Sequence, residues 1–498
     1  MNNNLMLLGT ASSVGKSTIA TGICRYFRNK GIKVAPFKAM NISLNSYVTE
    51  EGLEMGRAQV VQADACEIKP SAYMNPLLLK PCGNLKTQVI LNGIVYKVMD
   101  SYKYKELNKE LKIKVKESYD ILAKDYDLIV LEGSGSCAEI NLKDSDIANM
   151  SMAKMVDAPV ILVSDIDRGG VFASVVGTLM LLEEEERKQV KGVIINKFRG
   201  NVDYFASAKK QLEDIINIPV LGVMPYVDLD IEDEDSVTER IKNKEEKGSL
   251  DIAIIRLPHM SNFTDFNPLD IDDDVTVRYI SEIDEIGDPH VIILPGTKTT
   301  IEDLRYIKNN GIYNEIINRK DKGTIIFGIC GGYQMLGETL YDEYGVEGDV
   351  KEENGFNLLS SRTIFEKDKT TIQKKGKIMY SSSIFSKLLN CDVIGYEIHN
   401  GITEGEKQFT FIEGSNGETL GMINREGNVM GTYLHGIFDN DKFRRLFIQS
   451  LVEHFNLDNS INDTINYENY KKLQFDKLVE VMKENLDMNK IEEIISEA

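Results

Sequence analysis

LMLLGTASSVGKST, residues 5–18, decides how the first half of this chain folds. A run of apolar residues ends on Gly9, a small-residue turn follows, and Gly15-Lys16-Ser17-Thr18 opens a stretch suited to a helix. Strand, glycine turn and helix in that order make a parallel strand feeding a turn whose backbone N–H groups converge on an anion. Gly9, Thr10 and Gly15 shape the turn. Lys16 is placed to reach terminal phosphates, the Ser17 hydroxyl to hold magnesium, and Thr18 follows in the same first helical turn. Five residues separate the two glycines, one more than in the commoner form of this turn. The expected ligand is a nucleotide.

Outward from this stretch, short apolar runs alternate with helix-length amphipathic segments. Leu5–Leu8, Lys33–Pro36, Leu128–Leu131, Val160–Ser164, Gly192–Asn196 and Val220–Met224 read as buried strands. The alternation predicts α/β architecture, a doubly wound parallel sheet covered on both faces. Ligands of such sheets bind at the carboxyl ends of the strands. Glu132, in DLIVLEGSGS, stands at such an end and is expected to hold magnesium with Ser17. Asn196, in IINKFRG, and Pro225, in GVMPY, also follow strands, where an adenine ring could be gripped.

A charge run from Asp228 to Asp251 interrupts the pattern, which then restarts with Ile252–Leu257, Thr276–Ile280, Val291–Pro295 and Thr324–Ile329. This predicts a second doubly wound module. The expected division is 1–230, a charged linker over 231–250, a second module over 251–445, and an acidic helical tail over 446–498. From about Gly355 to Gly436 the strands are expected to be short and separated by turns. The tail is expected to pack on the second module.

The second module carries its own motif. The strand Thr324–Ile329 ends in GICGGYQMLG, residues 328–337. Glycines on both sides of a cysteine, between strand and helix, make a strained turn that presents the sulfur. Cys330 is therefore the expected nucleophile. The N–H of Gly331 and that of Gly296, in ILPGTK, are expected to hold an oxyanion. A thiol nucleophile needs a base, and the chain has five histidines. His435 in GTYLHGIF and His399 in GYEIHNG both follow strands, and spacing alone does not separate them; His259 in LPHMSNF is nearer the linker.

Composition bounds the rest. At 498 residues with 42% hydrophobic content, the chain can build at least two cores. A net charge of −20 argues against nucleic acid or an anionic membrane as partner, so an anionic substrate would need a local basic patch. No run approaches the ~20 apolar residues of a membrane span, and MNNNLMLLGTASS lacks a secretory leader's basic and apolar regions. The six scattered cysteines form no CxxC pair, which suits a reducing cytoplasm.

The longer spacing of the phosphate turn resembles that of dethiobiotin synthetase-like ATPases, a branch of the P-loop proteins that activates carboxyl groups. Phe327–Gly337 with His435 resembles a triad-type class I glutamine amidotransferase. Both modules in this order resemble the cobyrinate amidotransferases of corrinoid synthesis. PFKAMNISLNS (36–46), GRAQVVQADA (56–65), MNPLLLKP (74–81), AEINL (138–142), DIDRGGVFAS (165–174), LPHMSNFTDF (257–266), GYEIHNG (395–401) and GTYLHGIFD (431–439) carry that resemblance. It implies that Cys330 forms a thioester with glutamine while His435 moves the proton. It further implies ATP- and glutamine-dependent amidation of four carboxylates (b, d, e and g) of a corrinoid, adenosylcobyrinic acid a,c-diamide. The sibling branch of the family instead makes the a,c-diamide, and a nucleotide-gated binding protein with an inactive second module is the alternative outside enzymes. Lys38, Lys80, Arg168 and Arg199 lie in the matching motifs and are candidates for binding the corrinoid or phosphates. Most triad amidotransferases carry an acid two residues after the histidine; here that position is Ile437, as it is non-acidic in the cobyrinate group. What orients His435 is left open. Met40 and Ile42 replace the Gln and Met usual in the family.

Overall fold

A computed structural model of the chain describes residues 3–82, 86–100, 103–201, 205–227, 229–231, 247–380, 382–458 and 465–497. Most of the linker expected over 231–250 lies outside the described residues.

The first module is built on a six-stranded parallel sheet. Across it run Val220–Pro225, Val190–Phe198, Val160–Asp165, Asn3–Gly9, Leu128–Glu132 and Val34–Phe37. The phosphate-turn strand is central because Leu5, Met6, Leu7 and Leu8 are fully buried and need cover on both faces. The helix Lys16–Asn29 packs on one face through Ile19, Ala20 and Ile23. Val171–Leu181 and Asn108–Leu122 contribute Val175 and Val115 to the core on the other. All six strands point the same way, so the turn after Gly9, Glu132, Asp165, Asn196 and Pro225 share one edge of the sheet. Adequate apolar runs and a parallel register thus place the functional candidates together.

In the second module Val275–Ile280, Leu250–Ile255, Val291–Leu294, Ile325–Ile329 and Val429–Thr432 form a parallel array. Antiparallel strands continue it through Thr419–Ile423, Thr410–Gly414 and Ser361–Ile378. Here one expectation fails. The region expected to hold short strands contains an 18-residue strand, Ser361–Ile378, paired with the 14-residue strand Asp392–Gly405. Much of this ribbon faces solvent, so its strands carry charge and polarity where buried strands carry apolar alternation.

The tail also departs from expectation. Asp441–His454 does pack on the second module through Phe443, Phe447 and Leu451. Tyr467–Asn485 and Met488–Ser496 cross back and bury Leu478, Met482 and Ile491 against the first module. Buried Arg25 holds Asp476 at 2.7 Å, and Lys471 holds Asp64 at 2.7 Å. The chain's end thereby ties the two modules together. They also meet directly: the Ser46 N–H donates to Asn262 Oδ1 (3.0 Å), and the Tyr396 hydroxyl donates to the Ser46 carbonyl (3.0 Å). Among the described residues, no helix is long and apolar enough to cross a membrane.

Candidate active sites

The phosphate turn is held ready from beneath. Gly15 has φ 90°, in the left-handed region, and a β-carbon there would lie 2.1 Å from Asn196 Nδ2. That amide donates to the Val14 carbonyl at 2.8 Å, so Asn196 secures the turn's backbone. Thr10 Oγ1 shares a hydrogen bond with Ser164 Oγ at 2.9 Å. Lys16 folds back over the turn, its ammonium donating to the Gly135 carbonyl at 2.9 Å. Thr18 is exposed at the start of the helix.

Glu132 is buried at the mouth of this turn. Ser17 Oγ donates to its Oε1 at 2.7 Å, Lys38 Nζ reaches the same oxygen at 3.0 Å, and Gln62 Nε2 donates to Oε2 at 2.6 Å. Ser17, Glu132 and Lys38, expected from sequence in two different roles, form one cluster. A buried carboxylate needs such partners, and here one cation and two neutral donors meet its two oxygens. A hydroxyl and a carboxylate oxygen side by side also fit magnesium, which takes most of its ligands from phosphate and water.

Arg168 and Arg199 lie exposed at the same sheet edge. Arg199 pairs with Asp167 at 2.6 Å and covers the Tyr226 ring at 3.6 Å. Lys80 does not join them: it is buried at the boundary between the modules, bonded to Ser46 Oγ and Glu54. Met40 is half-buried, and Ile42 is exposed.

The second site is built around Cys330. Its backbone sits at φ 50°, ψ −108°, a costly conformation for a residue with a β-carbon, between the strand Ile325–Ile329 and the short helix Gly331–Leu336. The glycine requirement is clearest at Gly332, where a β-carbon would lie 2.0 Å from the Leu294 carbonyl oxygen. Gly331 packs against Thr297. Gly296 faces the imidazole: a β-carbon on it would stand 2.9 Å from His435 Cε1. Both glycines expected to serve an oxyanion therefore border the reacting pair.

His435 is buried, and Cys330 is near enough to favour its charged form. A two-way backbone bridge to Tyr396 fixes its main chain, at 2.9 and 3.1 Å. The open question of its orientation is answered by Asp265. His435 Nδ1 lies 2.7 Å from Asp265 Oδ2, and the Gly436 N–H donates to Asp265 Oδ1 at 2.9 Å. Asp265 so placed makes Nδ1 the protonated nitrogen and turns Nε2 towards the sulfur. Burial opposes charge on the ring, but Asp265 and Cys330 outweigh it and raise the His435 pKa to about 10. An imidazolium beside the nucleophile can hand its proton to a leaving amine.

The other histidines are differently engaged. His399 Nδ1 contacts the Gly401 carbonyl at 2.7 Å, and its ring stacks on Tyr433 at 3.7 Å. Burial lowers its pKa to about 3, so it is neutral. It borders the same cavity as Cys330, but His435 is the ring whose charge Cys330 and Asp265 both favour. His259 pairs with Asp303 at 2.8 Å. Asp265 escaped sequence reading because it lies 170 residues before the histidine it serves. Its one signal was an acid set among the aromatic residues of SNFTDF.

Residues 5–237 match the family model for the CobQ/CobB/MinD/ParA nucleotide binding domain. Residues 251–443 match that for the CobB/CobQ-like glutamine amidotransferase domain. A cobyric acid synthase of Clostridium botulinum (strain Alaska E43 / Type E3) is 58% identical over 496 residues, 99% of each chain. One of Clostridium perfringens (strain SM101 / Type A) is 58% identical over 493 residues, again 99% of each. One of Caldanaerobacter subterraneus subsp. tengcongensis is 48% identical over 499 residues, 99% of this chain and 98% of the other.

Proposed function

The chain belongs to the cobyric acid synthase family, and from that membership we propose that it amidates four carboxylates (b, d, e and g) of adenosylcobyrinic acid a,c-diamide, using ATP and glutamine. The observation that carries the reading is the Cys330–His435–Asp265 alignment in the same chain as a phosphate turn whose Ser17 meets a buried Glu132. A hydrolysing thiol alone would waste glutamine. A nucleotide site alone would have no nitrogen to deliver.

Each module meets one chemical difficulty. A carboxylate resists ammonia because its oxide is a poor leaving group. Attack of a carboxylate oxygen on the terminal phosphorus of ATP gives an acyl phosphate and ADP; ammonia then displaces phosphate and leaves the amide. Lys16 and the turn's N–H groups hold the phosphates while charge shifts between them. Ser17 and Glu132 would hold magnesium, which neutralises charge on the phosphate oxygens. At the second site the Cys330 sulfur attacks the amide carbon of glutamine, and His435 passes its proton to the departing ammonia. Gly296 and Gly331 stand where N–H donors would meet the oxyanion. Water, deprotonated by His435, then releases glutamate from the thioester.

Asp265 also weighs against an inactive second module, since it supplies the acid that position 437 lacks. Lys16→Met is expected to lower amidation by about 10²-fold or more with either glutamine or ammonium as nitrogen source, measured as product formed. The defining experiment supplies the a,c-diamide, MgATP and glutamine and follows product mass. Four successive amidations are the expected result. No change on that substrate, with two amidations of cobyrinic acid, would identify the sibling activity instead.

A further inference from the structure

The cavity that holds Cys330 is completed by the other module. Lys80, from the strand Leu77–Cys82, and Lys369, from the long ribbon strand, both line it. Between them lies Glu54, from the strand Glu54–Gly56 of the first module. Its Oε1 receives Lys80 at 2.9 Å and its Oε2 receives Lys369 at 2.5 Å. The three side chains are 5%, 9% and 1% exposed for Lys80, Lys369 and Glu54.

Lys80 and Lys369 thus share one carboxylate away from water, and Lys298 and Glu347 line the same cavity. Burial favours an arrangement in which charges are matched, and here one carboxylate, Glu54, serves two buried lysines. The Lys369 side chain feels both its burial and the other two lysines. Burial, with Lys80 and Lys298 nearby, lowers its pKa to about 7 even though Glu54 opposes the shift. Glu54 itself is held well below the usual carboxylate range by the two lysines, against the effect of burial.

Glutamine, the substrate assigned to this cavity above, brings an anion of its own. With its amide carbon at the Cys330 sulfur, its α-carboxylate lies at the far end of a short, flexible chain within the same cavity. We propose that the Lys80–Glu54–Lys369 cluster seats the α-carboxylate of glutamine, with Lys369 as the direct partner, so that the first module supplies part of the glutaminase pocket. This inference rests on the amidotransferase reading and adds a specificity determinant to it. It also accounts for the placement of Lys80 in the thiol's cavity when the corrinoid and phosphates would be met at the carboxyl edge of the first module's sheet.

The test compares glutamine with 4-aminobutanamide, which is glutamine without its α-carboxylate. Glutaminase turnover of the full chain is followed with MgATP and the corrinoid present. Wild type is expected to prefer glutamine by at least ~10²-fold in kcat/KM, since a site built for a charged group rejects a substrate that leaves it unpaired. Lys369→Met is expected to raise KM for glutamine at least ~30-fold with kcat within ~3-fold, and to reduce the preference at least ~10-fold. Lys369→Arg, which retains the charge, should keep most of the preference. A wild-type protein that cleaves both amides equally well overturns the assignment, and that comparison does not depend on any variant folding. A Lys369→Met variant that loses kcat at unchanged KM, or whose two substrates suffer alike, overturns it too. If wild type released no glutamate from glutamine, the amidotransferase reading itself would fall.

Discussion

Replacing Cys330 with alanine is expected to reduce glutamine-dependent amidation by about 10⁴-fold or more while ammonium-dependent amidation continues. Alanine removes the sulfur that forms the thioester, and no neighbouring group can replace it. His435 is a proton carrier, and Asp265 is committed to the ring and to the Gly436 N–H. The change is also small for the fold. Cys330 takes its strained φ of 50° with a β-carbon already present, and alanine asks for no more room. The phosphate turn and Glu132 belong to a different sheet, so the acyl phosphate still forms and external ammonia can still displace phosphate from it. Product mass with glutamine and with ammonium chloride, at a pH high enough to supply free ammonia, measures both halves. Loss of both activities together would mean that the thiol has a structural part in the first module. Retention of both would remove Cys330 from the chemistry.

The features legible in the sequence are those made by local backbone chemistry. The glycine turn at 9–15 and the cysteine turn at 328–332 each require small residues at fixed spacing between a strand and a helix, and a short window contains all of that. Parallel strands buried on both faces were equally visible, because a run such as Leu5–Leu8 has no polar face to offer water. Three features depend on chain segments far apart, and these were missed. Asp265 reaches His435 from a segment 170 residues earlier in the chain. Leu478 and Met482 announce an apolar helix face, but hydrophobicity has no direction and does not name the sheet that covers it. Lys80 stood in a motif that fits substrate binding, yet whether it met a corrinoid or the thiol's cavity depended on how the modules dock. The solvent-facing ribbon was misread for a different reason: its charges look like those of turns.

Exchanging Asp265 for asparagine is expected to lower glutaminase kcat by about 10³- to 10⁴-fold, although the side chains are nearly the same size. Gly436 dictates why. Its N–H needs an acceptor, so the asparagine oxygen must stay where Asp265 Oδ1 now sits. The NH₂ group then faces His435 Nδ1 and requires that nitrogen to accept. The imidazole proton moves to Nε2, the side turned towards Cys330, and the ring can no longer take a proton there. The pH profile gives a second readout. Burial opposes the charge, yet Asp265 and Cys330 raise the His435 pKa to about 10; without the carboxylate it falls, and the alkaline limb of kcat/KM should move down towards neutrality. The sign for stability follows from the same shift. A histidine raised above its ordinary value of ~6.5 contributes its full stabilisation below that pH and loses it as pH rises through about 10. Urea unfolding should therefore show the asparagine protein less stable than wild type near pH 6, with the gap narrowing above pH 10. Ammonium-dependent amidation reports that the variant is folded. An asparagine variant whose glutaminase stays within about threefold of wild type would leave His435 without a functional orienting group at Asp265, and the thiol–imidazole pair would have to work as a dyad.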